Sequence, residues 1–265
     1  EYADSDPDRG AGAGAQAGDD GDTDDGYNEF WKEVGTQVLV INGEFRSSII
    51  IDPPNGRIPF AGDPRARFQR DPSAPGRSDG PEGRPLAERC LLSFGSHSGP
   101  PMLPVMYNNN YQFVQTADHV VIMAEMVHDA RIIPLTDKKP DLDMQKWMGD
   151  SVGYWDGDTL VISTRNFFYD DNPRGLSTEA TIEERITRID ADTLDYDFTV
   201  ADPRSWDESW SARFPLRRIE DPIYEYACHE GNHGLQGILA GWRRYEVEGL
   251  NGDGSSPELG TDDDE

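Results

Sequence analysis

The densest reactive chemistry in the chain lies near its C-terminus, where Cys228-His229-Glu230-Gly231-Asn232-His233 sets two imidazoles four positions apart around a carboxylate. On a helix that spacing would bring both rings to one face as zinc ligands. His229-Glu230-Gly231-Asn232-His233 has the H-E-x-x-H spacing, but Gly231, Gly234 and the strand-like run 223–227 argue instead for a hydrogen-bonded turn. His128-Asp129, with Glu125 three residues earlier, suits a general base oriented by a carboxylate. An ordinary strand exit is the competing reading. The candidate catalytic residues are therefore His128, Asp129, His229 and Glu230. G-x-S-x-G occurs at Gly76-Arg77-Ser78-Asp79-Gly80 and Gly149-Asp150-Ser151-Val152-Gly153, but neither stretch joins an expected strand to a following helix as a nucleophile elbow does, and no Gly-rich phosphate loop occurs.

Hard oxygen ligands alternate in Asp20-Gly21-Asp22-Thr23-Asp24, which makes Asp20, Asp22 and Asp24 the candidate calcium ligands. The match is partial: a calcium loop wants Gly at its sixth position and Glu at its twelfth, and Asp25 and Trp31 stand there. Asn251-Gly252-Asp253-Gly254-Ser255 is a weaker second candidate, and a solvated acidic tail accounts for either stretch. Cys90 and Cys228 are the candidate pair for a single disulfide in an oxidising compartment, with two buried thiols as the alternative. Asn109, Tyr111 and Trp155 are the pocket candidates. The run Asn108-Asn109-Asn110 offers amide donors to a pocket mouth, or simply occupies positive-φ positions at a sheet edge.

The elements that must position these residues read as short β segments between turn signals. The clearest is 36–41, then Asn42-Gly43, then 44–51, because Asn-Gly between β-branched runs favours a type I′ hairpin turn. Residues 52–101 shift to Pro, Gly, Arg and Asp, a long irregular connection. Strands are expected over 111–116, 119–126 and 131–135, with Val120, Ile122 and Ala124 on one face. A short helical piece over 141–149 carries Met144 and Met148 four apart. Asp156-Gly157-Asp158 and Asp190-Ala191-Asp192 mark two further hairpins, 151–155 with 159–166 and 181–189 with 194–200. Strands over 210–216 and 224–228, then a helix over 234–249, complete the body.

About ten short strands in hairpin order predict an all-β, mainly antiparallel fold: a closed or nearly closed β-barrel with a short C-terminal helix and a long irregular N-terminal arm. A β-sandwich is the alternative. The expected divisions are an acidic Gly/Ala-rich arm over 1–30, a β-rich domain over 31–249 and an acidic tail over 250–265.

Five stretches carry a resemblance: Arg84-Pro85-Leu86-Ala87-Glu88-Arg89-Cys90, Tyr107-Asn108-Asn109-Asn110-Tyr111-Gln112, His128-Asp129-Ala130-Arg131-Ile132-Ile133-Pro134-Leu135, Trp147-Met148-Gly149-Asp150-Ser151-Val152-Gly153 and Cys228-His229-Glu230-Gly231-Asn232. Over about residues 52–246 the chain resembles an uncharacterised family of exported bacterial proteins. The likeness implies a bacterial, exported protein and brings no activity with it. The arms at both ends lie outside it.

Composition narrows the partners. Fifty-one acidic against twenty-four basic side chains give a net charge of −27, which disfavours nucleic acid and anionic membrane surfaces. No run of eighteen apolar residues occurs, so no membrane span is expected. A chain starting at Glu1 fits a mature exported protein, extracellular, at the cell surface or periplasmic. Residues 1–26 contain a single aromatic, Tyr2, and bury too little to offset about 1 to 2 kcal/mol of backbone entropy per residue. Order in that arm would have to come from outside the fold. Three functions follow. The first is a secreted or cell-surface structural subunit that self-assembles into an oligomer or filament through its arm, with calcium as the candidate bridging ion and the chain itself as partner. The second is a β-barrel holding a small apolar ligand. The third is an exported enzyme of unknown reaction using His128, His229 and Glu230.

Overall fold

The computed structural model describes residues 38–62, 76, 78–92, 99–104, 110–138, 145–168 and 176–249. The arm, the tail beyond 249, the candidate calcium ligands Asp20, Asp22 and Asp24, and the pocket candidate Asn109 lie outside the described residues.

Asn42 (φ 52°) and Gly43 (φ 82°) both take the left-handed backbone that a type I′ turn requires. They join β1 (Leu39–Ile41) to β2 (Glu44–Arg46) with Ile41 opposite Glu44. The second strand stops sooner than its sequence suggests because Ser48 diverts the backbone. Its hydroxyl donates to the Gly56 carbonyl at 2.9 Å and accepts from the Ile50 N–H at 3.1 Å. The chain resumes as β3 (Ile50–Asp52), which pairs with a distant strand instead.

Two meanders follow. Strands β4 (Tyr111–Gln115), β5 (His119–Ala124) and β6 (Ala130–Pro134) form a three-stranded antiparallel sheet. Strands β7 (Asp150–Asp156), β8 (Thr159–Arg165), β9 (Thr181–Arg188), β10 (Thr193–Ala201) and β11 (Trp210–Arg217) run antiparallel in sequence order, and β3 completes a six-stranded sheet beside β11. Period-two patterning sorts the faces as expected: Val120, Ile122 and Ala124 are buried along β5, and Tyr196, Phe198 and Val200 along β10.

One core fills the space between these sheets. Val120, Ile122 and Ile133 of the smaller sheet pack in the same cluster as Leu160, Ile182, Phe198 and Phe214 of the larger. Edge-to-face aromatic contacts knit the larger sheet's inner face: Tyr196 with Phe214 at 5.3 Å and Phe198 with Trp210 at 5.5 Å.

The structure is all-β and mainly antiparallel with one C-terminal helix, but among the described residues no sheet closes into a barrel, which corrects that expectation. The arrangement resembles a sandwich. The reason lies where the meanders meet. Leu135 forms only an isolated parallel bridge to Gly153, and Thr136 donates to the Gly153 carbonyl at 2.9 Å, so β6 touches β7 at a point and forms no ladder with it. Gly153 permits that approach, since a Cβ there would lie 3.1 Å from the Ile133 side chain.

Two further expectations are corrected. The described part of the helical piece over 141–149 is a bridge at Lys146 followed by a turn, closed by the Gly149 N–H donating to the Lys146 carbonyl at 3.0 Å. Residues 224–227 form no strand, because the Tyr224 N–H is taken by the Glu125 carboxylate at 2.7 Å. Helix α1 (His233–Glu248) forms as expected: the Asn232 side chain accepts from the Leu235 N–H, and Gly249 ends it in the left-handed region at φ 66°. None of its residues is buried. The Cys90–Cys228 disulfide is present, with Cα atoms 5.8 Å apart, and anchors the segment leading into α1.

Candidate functional site

At the end of the sandwich where the β7–β8 and β9–β10 turns lie, the two sheets part and leave a cleft of about 1160 Å³. One wall comes from the smaller sheet, with Tyr111, Phe113 and Val120. The other comes from the larger, with Leu160, Ile186, Leu194, Phe214 and Leu216. Leu39 and Ile49 close one side, Met102 and Leu103 contribute from the long connection, and Trp155 stands at the mouth with 45% of its surface exposed. The rim mixes Arg188, Arg217 and Arg218 with Asp158 and Asp192.

The β9–β10 turn is held by an Asx turn in which the Asp190 carboxylate accepts from the Asp192 N–H at 2.8 Å, and that hydrogen bond holds the Asp190 carboxyl below its usual range. Arg188 donates to the carbonyls of Asp190 and Ala191 at 3.2 and 2.9 Å, pinning its guanidinium to the rim. On the opposite wall β4 is an edge of its sheet among the described residues, as β3 is of the larger one.

Below the cleft lies a buried polar bridge that the sequence reading did not single out. Arg131 of β6 donates to both carboxylate oxygens of Glu184 on β9, one at 3.0 Å. The Tyr196 hydroxyl donates to Glu184 at 2.6 Å and accepts from the Met102 N–H at 3.0 Å. Ser151 and Thr164 share a hydroxyl hydrogen bond at 2.8 Å beside Arg131. The Arg131 and Glu184 side chains are 2% and 0% exposed, so the group joins the sheets and is closed to substrate. Burial alone would lower the Arg131 pKa, but the Glu184 charge overcomes it and the guanidinium is held above its ordinary value. Burial, reinforced by the Glu184 charge, pushes the Tyr196 hydroxyl well above the ordinary tyrosine value.

The candidate catalytic residues sit elsewhere. His128 ends a 3-10 turn after β5, and Asp129 follows it. Val127 in that turn takes φ 59°, an uncommon conformation for a β-branched residue. Glu125, just before it and 3% exposed, accepts from Asn110 at 2.9 Å and from the Tyr224 N–H, fastening the C-terminal segment to this turn. His229 and Glu230 are exposed on the turn between that segment and α1. Asp129, His229 and Glu230 do not line the cleft, whereas Tyr111 and Trp155 do. Among the described residues no group of three or more His, Cys, Asp or Glu side chains could hold a metal ion, and no helix is long and apolar enough to cross a membrane.

What the sequence reading missed was the far wall. Leu194, Phe214 and Leu216 read as ordinary strand residues, and their convergence with Phe113 depends on the packing of one sheet against the other. Comparison with models of protein families finds none that matches this chain, and no curated protein matches it.

Proposed function

We propose that this chain is an exported binding protein that holds one small, largely apolar molecule in the cleft between its sheets. The observation that carries this reading is the cleft itself, whose volume of about 1160 Å³ exceeds the roughly 300–1,000 Å³ typical of small-molecule sites and whose walls are mostly aliphatic and aromatic. The few polar groups at the rim, Arg188 and Asp192 among them, suit an apolar body with a polar end left near water. The disulfide supports an oxidising compartment, and hence export. Arm-mediated assembly and calcium binding concern residues outside the described ones and remain the alternative proposal, with the chain itself as partner.

The test is a titration with the apolar fluorescent probe N-phenyl-1-naphthylamine. One probe per chain is expected, with a Kd on the order of 10 μM, as about 0.4 kcal/mol per heavy atom gives for a molecule of its size. Phe113→Asp, which puts a charge into the wall, should weaken binding at least tenfold with an unchanged circular dichroism spectrum. Trp155→Ala, at the exposed mouth, should weaken it less. No enhancement with wild type, or equal enhancement with all three proteins, would overturn the reading.

A further inference from the structure

We infer that the cleft's ligand is a single-chain zwitterionic amphiphile of the alkylphosphocholine type, its phosphate held by Arg188 and Arg218 and its quaternary ammonium by the Trp155 ring and Asp158. The inference deepens the proposed binding function, and its apolar half rests on that reading.

Three observations converge on the mouth of the cleft. The first is a second depression of about 950 Å³ that adjoins the cleft and shares Gln115, Trp155, Asp158, Arg188, Ala191 and Arg218 with it. The cleft walls are mostly aliphatic and aromatic, whereas this neighbour adds charged groups, so a molecule filling both needs an apolar body and a charged head.

The second is how the charges stand. Thr159 is the partner of Thr187, so Asp158 and Arg188 are the next residues outward on adjacent strands. They form no ion pair with each other, although Arg185 and Asp156 nearby close to 2.8 Å. Arg188 instead donates from Nε to the Asp190 carbonyl at 3.2 Å and from Nη2 to the Ala191 carbonyl at 2.9 Å. That fixes the plane of the guanidinium and leaves Nη1 to donate elsewhere. Arg218 meets Glu220 at 3.5 Å, a solvent-exposed contact of little strength. Arg217 acts on the charge of Asp190, whose carboxylate is already committed to the Asp192 N–H. Arg188 and Arg218 therefore stand against Asp158 and Asp192 around the mouth. A head of one sign would be repelled by half of this set, whereas a head carrying both signs finds a partner for each.

The third is Trp155. Trp147, Trp206, Trp210 and Trp242 all lie against another aromatic ring, while Trp155 has no such partner among the described residues and is 45% exposed. An indole face open at the mouth, with Asp158 three positions along the same hairpin, suits a quaternary ammonium. The guanidinium forks suit a phosphate.

Isothermal titration calorimetry of the full chain tests the assignment with four dodecyl compounds kept below micelle-forming concentrations: dodecylphosphocholine, dodecanoate, dodecyltrimethylammonium and dodecanol. One dodecylphosphocholine per chain is expected, bound at least tenfold more tightly than any of the other three. Arg188→Gln should weaken dodecylphosphocholine and dodecanoate about tenfold more than dodecyltrimethylammonium, the effect of losing one charged hydrogen bond. Asp158→Asn should do the reverse, weakening dodecylphosphocholine and dodecyltrimethylammonium more than dodecanoate. Asp158 makes no hydrogen bond among the described residues, so this variant keeps the test open if Arg188→Gln loosens its turn. Equal affinities for the four compounds, tightest binding of dodecanoate or dodecyltrimethylammonium, or variants that shift every charged compound alike would overturn the head assignment. Dodecanol that binds and is weakened by Phe113→Asp, with dodecylphosphocholine bound no more tightly, would sink the head assignment and leave the cleft reading intact. Dodecylphosphocholine binding that resists Phe113→Asp but responds to Arg188→Gln would leave the head assignment standing and sink the cleft reading.

Discussion

Arg131 and Glu184 lie 53 positions apart and meet in the centre of the molecule, where each would be intolerable without the other. Glu184→Ala would leave a buried guanidinium without its carboxylate, and a loss of about 3–5 kcal/mol is expected in urea unfolding. The double variant Arg131→Met/Glu184→Leu should cost less than either single change, since apolar residues of similar size remove both charges together. Tyr196 provides a pH test. Its folded pKa is raised, so its contribution is complete below the ordinary tyrosine value near 10 and is lost as pH rises through the folded value. Stability should therefore fall above about pH 10 with a slope approaching 1.4 kcal/mol per pH unit from this group. Tyr196→Phe should remove that part of the slope, and an unchanged slope would show that the hydroxyl is not held as described. At this scale the sequence says least: period two puts Glu184 on the same face as the buried Ile182 and Ile186, but only the folded structure shows that Arg131 is the partner it meets there.

Among the elements, turn chemistry made the hairpins legible. Asn42-Gly43 and Asp156-Gly157-Asp158 form turns because their residues tolerate positive φ, and the flanking strands follow within one or two positions. The misread elements share a cause, a local signal overruled by a specific hydrogen bond: Ser48 for the break before β3, and the Glu125 grip on the Tyr224 N–H for the strand that never forms. Helix α1 was legible through its terminal glycine, yet it buries no residue and depends on its tethers. Those are the disulfide, the Asn232 side chain donating to the Glu88 carbonyl at 2.7 Å, and Arg243 donating to the Ser78 carbonyl at 2.5 Å. Cross-linking residues 138 apart contributes up to about 5 kcal/mol in the loop-entropy model. Cys90→Ala/Cys228→Ala should therefore lose about 2–5 kcal/mol. Its α1 amides should exchange much faster than in wild type, and unchanged α1 exchange would show that the side-chain tethers suffice.

Over the whole molecule, the β class and the meander order were readable from periodicity, whereas barrel and sandwich were not separable that way. The difference turns on whether β6 and β7 form a ladder, and a single bridge at Gly153 decides it. The candidate site lies between the two sheets, and two of its lining residues, Tyr111 and Trp155, are among the pocket candidates of the sequence. The chain carries a net charge of −27, while the described rim of this apolar opening mixes arginines with aspartates. The central claim is that the opening between the sheets is a binding site, and the most direct measurement is a methyl-detected NMR titration with N-phenyl-1-naphthylamine. Shifts confined to Val120, Leu160, Leu194 and Leu216 are predicted. Shifts that instead cluster on Ile238 and Val247 of the exposed helix, or that appear nowhere, would contradict it.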